Sequence, residues 1–499
     1  MKRSRLTVLG ALLAAVLLAA ACSSSDDPAA TDEGPEEAPS QPEPTAAEPE
    51  EAPPQAEPAD PEPEEAPSQP EPAEDTSGEE GSSGAGSEDE PAPAPTEEPP
   101  PVVPEGSTVG ITDDSITVAV LRSDTTALEE AGILPFLGDL QQNYRVFAQL
   151  ANENGGAGGR DIEVVFHSFP PGAAPSDQQA ACIAATEDDE AAVVHFVGGV
   201  SAEAVLCATE GHDRITYMLS GVLPQSIFDR SNDLLFSHSV TTERLMAAWP
   251  SMLDANGTLQ GATLGLIRGD IGEHEVAAEV LEAALGDLGY ELAEQLALPC
   301  QGTACGQVEL AVERMQSAGV DTVFSLMPVS AYAAAVGIAD AAGWDPQWLS
   351  SDIENQVFTA PTQAVFSRVA EPFDGTIGLT YGLDRLSPDL EGEDCYDRFS
   401  AVTGASYESD SDAWSAVASA CEFMTNLVAA ANWSQDTYGT LNQTTLVEGF
   451  ETLTDYRLGD IVGSWSDDKH NAPDIVTLKT FSAECVCWTE IEGARTELE

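Results

Sequence analysis

Residues 152–165 read NENGGAGGRDIEVV and join a predicted helix to a predicted strand. Before this segment, apolar residues recur at helical spacing from Tyr144 to Ala151. After it, Ile162 to Phe169 is typical of a buried strand. The glycines end the helix and turn the chain back, because glycine adopts backbone conformations that other residues avoid. A further apolar strand at residues 116–121 precedes the helix, so the segment predicts a right-handed βαβ unit.

The position of these glycines argues against a dinucleotide site. A dinucleotide fingerprint places its glycines after a strand and before a helix. Here the glycines follow the helix, so the segment is not expected to cradle a phosphate.

Two series of alternating strands and helices follow, and the chain ends differently. Strands are predicted at 193–198, 215–219, 262–267, 291–298, 322–327, 347–350 and 376–381. Helices near 388–403, 412–431 and 445–453 then lead to short antiparallel strands at 461–465, 475–480 and 486–491.

This order of elements resembles type I periplasmic binding proteins of the leucine/isoleucine/valine-binding family, which serve ABC importers. The resemblance rests on a helix ending in Asn-x-x-Gly-Gly-x-x-Gly-Arg at residues 152–160, followed by a strand, and it covers roughly residues 115–490. It implies an α/β fold of two doubly wound lobes, joined by a three-segment hinge, that close on a ligand.

The resemblance implies the following organisation. Lobe 1 comprises residues 108–238 and 376–456, and lobe 2 comprises 239–375 and 457–499. The three crossings between lobes are expected near 236–241, 373–379 and 455–461, so the strand at 376–381 is expected to return to lobe 1.

The amino terminus is typical of a secreted lipoprotein. Residues 1–21 carry basic residues and then a short apolar run, which predicts a signal peptide. Three alanines precede Cys22 and resemble a lipobox, although Leu18 lies four residues before the cysteine. Lipid attachment at Cys22 is therefore predicted, and the alternative is an ordinary signal peptide with an incidental cysteine. The expected location is the extracytoplasmic face of the cell membrane.

Residues 22–107 form a predicted disordered tether. The stretch 23–107 contains 26 acidic residues and no basic one, and it is rich in Pro, Ala and Ser. Such a sequence buries too little apolar surface to offset the entropy of ordering it. The tether is interpreted as a spacer between a lipid anchor and the folded domain.

The charge of the chain excludes nucleic acid as a partner. The formal net charge is −69, and residues 108–499 hold 61 acidic and 15 basic residues. A domain this acidic repels a phosphate backbone.

No enzyme motif is present, and the protein is interpreted as a non-enzyme without a cofactor. The sequence lacks a GxSxG elbow, an HExxH pair and a P-loop. Two alternatives remain open. One is a ligand-sensing receptor of the same fold without transport, and the other is an exported enzyme or adhesion module.

Eight cysteines remain after Cys22, an even number that predicts disulfides in an exported protein. The sequence alone does not determine connectivity, but proximity favours three pairs and leaves a fourth: Cys182–Cys207, Cys300–Cys305, Cys395–Cys421, and Cys485 with Cys487. Some members of the resembled family also pair cysteines at the positions of Cys182 and Cys207. A zinc site is the rejected alternative, because no CxxC pair is present.

The resemblance implies that loops from both lobes line the ligand crevice. The candidate ligand-binding residues are Ser123, Asp124, Thr125, Val200, Ser201, Ser220 and Gly221 in lobe 1, and Asp270, Ile271, Ser330 and Asp352 in lobe 2. Family members that bind amino acids hold the α-carboxylate with hydroxyls and backbone N–H groups, a role that Ser201 and Ser220 fit. The alternative is that both serines only cap helices or turns.

Two departures from the family bear on the ligand. Ile271 stands where amino-acid binders of the family usually have a Tyr. The loop at residues 328–330 lacks the acidic residue that holds the ammonium group of the ligand in those proteins. Asp270 or Asp352 could take the place of that acid. The expected ligand is an amino acid, an amide or a similar polar metabolite, and a less polar or differently charged solute stays open. The expected protein partners are ABC permease subunits.

Overall fold

The computed structural model describes residues 101–131, 134, 136–198, 200–301, 304–353, 356–357, 370–382, 392–408, 411–454, 456–458 and 461–498. The predicted signal peptide, Cys22 and most of the tether lie outside these ranges, as do Gly199 and Glu354 of the predicted crevice loops. Within them, no helix has both the length and the apolar character needed to cross a membrane.

Five parallel strands form the first sheet, in the order β2-β1-β3-β4-β5. They are β1 (Ser115–Ser123), β2 (Asp161–Phe169), β3 (Val193–Val197), β4 (Ile215–Met218) and β5 (Leu235–Ser237). The helices along this part of the chain are α1 (Thr126–Glu130), α2 (Leu140–Glu153), α3 (Pro175–Ile183), α4 (Ala202–Leu206) and α5 (Gln225–Arg230). Short π-helical segments, Ala184–Asp188 and Cys207–Gly211, continue α3 and α4.

The glycine-rich segment makes the predicted turn between α2 and β2. Gly156 has a φ of +71°, and a Cβ atom there would overlap the carbonyl oxygen of Arg160. The side chain of Asn152 closes the turn, because its Oδ1 accepts from the Ile162 N–H at 2.7 Å and its Nδ2 donates to the Ile162 carbonyl at 3.1 Å. β1 and β2 are parallel neighbours, so the predicted βαβ connection is confirmed.

Seven strands form the second sheet, in the order β16-β15-β12-β11-β10-β6-β7. They are β6 (Leu264–Gly269), β7 (Leu292–Leu298), β10 (Thr322–Leu326), β11 (Gln347–Ser351), β12 (Ile377–Thr380), β15 (Ile475–Ser482) and β16 (Cys487–Glu497). The run from β7 to β12 is parallel, whereas β15 and β16 are antiparallel, as predicted for the end of the chain.

In the described ranges between Thr242 and Gly463, four α-helices and two small hairpins accompany the second sheet. The helices are α6 (Thr242–Ala255), α7 (Gly272–Asp287), α8 (Val308–Ser317) and α9 (Val329–Ala342). The hairpins pair β8 (Cys300–Gln301) with β9 (Ala304–Cys305), and β13 (Tyr456–Leu458) with β14 (Ile461–Gly463).

The assignment of the strand at 376–381 to lobe 1 is wrong. β12 pairs in parallel with β11, with Leu349 opposite Ile377, and in antiparallel with β15. It therefore belongs to the second sheet, and the second crossing follows Thr380 instead of lying at 373–379. An apolar strand has the same local pattern in either sheet, so its pairing partner is a non-local property.

After β12 the chain returns to the first sheet through three helices, α10 (Gly392–Thr403), α11 (Asp412–Tyr438) and α12 (Gln443–Glu451). α11 and α10 both pack against α2, which covers the first sheet. Aromatic contacts hold this packing together, with Tyr144 of α2 against Phe423 of α11 and Phe147 of α2 against Phe399 of α10. α11 continues seven residues beyond the predicted end and stops at Gly439, whose φ is +68°.

Candidate ligand-binding crevice

Both sheets have a topological switch point, where successive connections leave on opposite sides. In the first sheet β1 lies between β2 and β3, and in the second β6 lies between β7 and β10. Ligands of open α/β sheets bind beyond the carboxyl ends of the strands at such points. The predicted ligand loops that follow β1, β3, β6 and β10 all leave from these two edges.

In the loop after β1, Asp124 and Thr125 are occupied by local hydrogen bonds. Oδ1 of Asp124 accepts from the backbone N–H and the hydroxyl of Thr126, at 3.2 and 2.7 Å. These bonds lower the pKa of the exposed Asp124 carboxyl. The Thr125 hydroxyl donates to Oε1 of Glu129 at 2.6 Å. Both side chains therefore organise the start of α1.

Ser201 is a helix cap, which was the alternative interpretation of this residue. Its Oγ accepts from the Ala204 N–H at 3.4 Å, and its own N–H donates to Oε1 of Gln178 at 2.7 Å. The capping role follows from its extended backbone one residue before α4.

In the second lobe, Asp270 supports the neighbouring hairpin. Its Oδ1 accepts from the Cys300 N–H at 2.8 Å, and its N–H donates to the Leu298 carbonyl. Ile271 precedes α7, and Ser330 is exposed in the first turn of α9. Asp352 is buried and directly follows β11.

Tyr381, which was not among the predicted site residues, joins the first crossing to a predicted loop of the second lobe. Its phenol oxygen lies 2.9 Å from Oγ of Ser239. Its N–H donates to Oδ2 of Asp352 at 3.2 Å. Burial, and then the charge of Asp352, raise the pKa of Tyr381. Tyr381 thus contacts the first crossing through its phenol and the second lobe through its backbone N–H.

The only sequence signal for Tyr381 is its place directly after an apolar strand and before Gly382. Gly382 has a φ of +106°, so the chain turns sharply there. Ser239 had a comparable signal, because it lies in the predicted first crossing at 236–241.

A match to the periplasmic binding protein family model covers residues 115–478. The chain belongs to the periplasmic binding protein family. No curated relative matches the chain. Solved structures support the assignment at the level of the fold.

One similar structure is a fatty acid ABC transporter substrate-binding protein from Thermomonospora curvata, with 18% identity and a TM-score of 0.59 over 80% of this chain and 95% of that chain. Another is a solute-binding protein of an ABC transporter from Rhodopseudomonas palustris BisB5 in complex with 3,4-dihydroxybenzoic acid, with 13% identity and a TM-score of 0.56 over 77% and 98% of the two chains. A third is a branched-chain amino acid ABC transporter protein from Thermus thermophilus with bound valine, with 12% identity and a TM-score of 0.56 over 77% and 97%. At these identities, the likeness establishes the type I periplasmic binding protein fold.

Behind the hinge, this periplasmic binding protein carries a buried polar network. Nδ1 of His195 faces the Tyr217 carbonyl at 3.0 Å and must donate, so Nε2 accepts from the Tyr144 hydroxyl at 2.8 Å. The Tyr217 hydroxyl donates to Oε1 of Glu422 at 2.9 Å and also contacts His238. Burial lowers the pKa of His195 to about 3 and holds the pKa of His238 well below its usual value. His195 is therefore a neutral residue of the core.

The three disulfides favoured by proximity and the remaining fourth pair are all present: Cys182–Cys207, Cys300–Cys305, Cys395–Cys421 and Cys485–Cys487. Among the described residues, one group has metal-ligand geometry, and it consists of Cys182, Cys207 and His212. Because both cysteines are disulfide-bonded, they offer no thiolate to a metal ion.

Proposed function

We propose that this protein is the substrate-binding lipoprotein of an ABC importer. In this proposal Cys22 carries the lipid, residues 22–107 space the domain from the membrane, and the two lobes close on a small polar organic solute. The loaded protein then delivers the solute to permease subunits. The family assignment supports solute binding, and the names of the similar structures connect that fold to ABC transporters.

The single observation that carries the proposal is the position of Tyr381. Its phenol lies beside Ser239 of the first crossing, and its N–H donates to Asp352 of the second lobe. Hinge closure around a ligand moves the lobes about a few connecting residues. The Tyr381 contacts lie between two of these connecting segments.

The names of several similar structures suggest the solute class. They mention valine, Leu, 3,4-dihydroxybenzoic acid and 4-hydroxybenzoate, and each of these compounds has a carboxyl group. We propose an organic acid or amino acid for this chain, bound by the loops that contain Ser123, Val200, Ser220, Asp270 and Ser330.

Native mass spectrometry tests the proposal by weighing whatever solute the protein retains. Protein purified without denaturation is expected to carry a small organic molecule that disappears after unfolding and refolding. A Cys22→Ala variant, expressed in parallel with the unaltered protein, is expected to leave the membrane fraction. If the protein carries no small molecule before refolding and binds none afterwards, the binding proposal is wrong. If the Cys22→Ala variant stays in the membrane fraction, the anchor is wrong.

A further inference from the structure

Arg122 and Arg268 occupy equivalent positions in the two lobes. The end of β1 reads Leu-Arg-Ser-Asp at residues 121–124, and the end of β6 reads Ile-Arg-Gly-Asp at residues 267–270. In the strand register, Arg122 lies opposite Val197, the last residue of β3, and Arg268 lies opposite Leu326, the last residue of β10. Each arginine therefore lies at the switch point of its sheet, beside the loops proposed to bind the solute.

The two side chains also lie on equivalent faces. Strand alternation places Arg122 on the same face as Val118 and Val120, which pack in one cluster with α2. It places Arg268 on the same face as Leu264 and Leu266, which pack with α7. In each lobe the arginine thus lies on the face that is covered by the first long helix after its own strand.

Both guanidinium groups are partly buried without an adequate partner. Nε of each is buried and has no hydrogen-bond partner in the described part of the chain. Arg122 makes no hydrogen bond or ion pair with any described residue. The side chain of Arg268 is 17% exposed and donates one hydrogen bond, to the adjacent Gly269 carbonyl at 3.0 Å. Its nearest carboxylate is Oε1 of Glu275, 4.0 Å from Nη2, and the Glu275 side chain is 63% exposed.

Two other half-buried arginines of this protein have more hydrogen-bond partners. Arg244 donates to the side chain of Asn471 and the carbonyl of Pro473, and it pairs with Asp474 at 3.8 Å. Arg160 donates to the Thr112 carbonyl at 2.7 Å and the Gly158 carbonyl at 3.0 Å. A third, Arg214, also has a buried Nε without a partner among the described residues, but it lies away from the switch point, directly before β4.

The aspartates of the repeated sequence do not fill the role of partner. Asp124 accepts from Thr126, and the charge of Arg122 is the smallest of the causes that shift the Asp124 pKa. Asp270 accepts from the Cys300 N–H.

The helix that covers the face of Arg122 carries a second unsatisfied polar side chain. Asn143 lies in the first turn of α2 and is fully buried, and neither its Oδ1 nor its Nδ2 has a hydrogen-bond partner among the described residues. Buried polar groups are generally hydrogen-bonded, so the amide of Asn143 is available to a polar group of a solute or to water.

We propose that Arg122 and Arg268 each bind one anionic group of the same ligand, so that the solute is a dicarboxylate. This inference rests on the proposed function. A guanidinium binds a carboxylate through two parallel hydrogen bonds, and a partly buried charge is costly until it is paired. Because each lobe supplies one arginine, a ligand with two carboxylates engages both only when the lobes close.

Titration calorimetry on the full-length mature chain, unfolded and refolded to remove bound solute, tests this inference. The probes are aliphatic and aromatic dicarboxylates of increasing length, their monoamides and their diamides. We expect one dicarboxylate to bind, its monoamide to bind at least 10-fold more weakly, and its diamide to show no heat. A charged hydrogen bond is worth about 1.5–3 kcal/mol, which corresponds to roughly 10-fold or more in affinity.

Substitutions of the two arginines test whether they bind the carboxylates. Arg122→Gln and Arg268→Gln are each expected to weaken dicarboxylate binding by at least 10-fold and to remove the preference over the monoamide. Arg122→Lys, which keeps the charge and loses the planar fork, is expected to weaken binding less. The matched controls are Arg145→Gln and Arg314→Gln, because both arginines are exposed, one in each lobe, and both substitutions are expected to leave binding unchanged.

The outcomes separate this inference from the proposed function. If amino acids or neutral solutes bind and no dicarboxylate does, the dicarboxylate assignment is overturned and the binding function stands. The same holds if dicarboxylates bind equally to the unaltered protein and to both Gln variants. If no solute of any class binds, the proposed function itself fails. A folded Arg122→Lys variant with unaltered affinity also overturns the role of Arg122.

Discussion

The Ser239 hydroxyl lies 2.9 Å from the phenol oxygen of Tyr381. Ser239 follows β5, where the chain leaves the first sheet, and Tyr381 follows β12, where it leaves the second. Two of the crossings are therefore joined directly through buried side chains. We therefore expect any movement of the lobes to change this contact.

Tyr381→Phe is expected to weaken solute binding several-fold. The substitution leaves the buried Ser239 hydroxyl without its phenol partner, at a cost of about 1 kcal/mol or more. Calorimetry with the bound solute measures the change. Tyr438→Phe is the control, because the Tyr438 hydroxyl instead donates to Glu448 and so links α11 to α12. Equal affinities of Tyr381→Phe and the unaltered protein would show that Tyr381 does not couple the hinge to binding.

Replacement of Gly156 by Ala is expected to destabilise the first lobe more than the same change at Gly159. Both residues have positive φ, at +71° and +80°, so both replacements carry a backbone cost of about 1–2 kcal/mol. Only at Gly156 does the new Cβ overlap a backbone atom, the Arg160 carbonyl, whereas nothing lies within 4 Å at Gly159. Urea unfolding of the two variants measures the difference. Equal destabilisation would show that the turn does not depend on this close approach.

The disulfides are expected to contribute unequally to the free energy of unfolding. Cys182–Cys207 closes a loop with a sequence separation of 25, and its removal by paired alanine substitutions should cost about 3 kcal/mol. Cys485–Cys487 has a separation of 2 and restricts the unfolded chain little, so its removal should cost roughly 1.5 kcal/mol or less. Denaturant titration of the two double variants tests the order, and a reversed order contradicts it.

The free energy of unfolding is expected to fall on acidification, because the buried His195 resists protonation in the native state. Its folded pKa is about 3, below the unfolded value of about 6.5, so it is neutral in both states above that value. As the pH falls from about 6.5 toward 3, the unfolded chain binds a proton that the native state does not. This lowers the free energy of unfolding by up to about 1.4 kcal/mol per pH unit. Urea titrations of the unaltered protein and of His195→Gln, between pH 5 and pH 7, should show a smaller slope for the variant. An equal pH dependence of the unfolding free energy in the two proteins would contradict a lowered pKa of His195 in the native state.

The sequence was informative wherever structure is local. The glycine-rich turn, the helix before it and the strand after it all appear as predicted, because glycine chemistry and hydrophobic periodicity are properties of adjacent residues. The disulfides followed proximity for the same reason. In contrast, Ile377–Thr380 was placed in the wrong sheet, because an apolar strand does not encode its neighbour.

The positions of the candidate crevice loops were predictable, but their contacts were not. The switch-point loops follow from strand order, whereas capping by Ser201 depends on which polar groups fold back onto α4. Tyr381 was missed because its partners, Ser239 and Asp352, are distant in sequence. The equivalence of Arg122 and Arg268 depends on strand register, which places Arg122 opposite the last residue of β3 and Arg268 opposite the last residue of β10. Register is set by pairing between strands that are distant in sequence.

The most direct test of solute binding is equilibrium unfolding of the refolded chain against a library of mono- and dicarboxylic acids, amino acids and amides. A solute present at 100 times its dissociation constant should raise the free energy of unfolding by about 2.7 kcal/mol. We predict a shift of this size with one class of carboxylate and none with its amide. No shift with any class would contradict solute binding by this periplasmic binding protein.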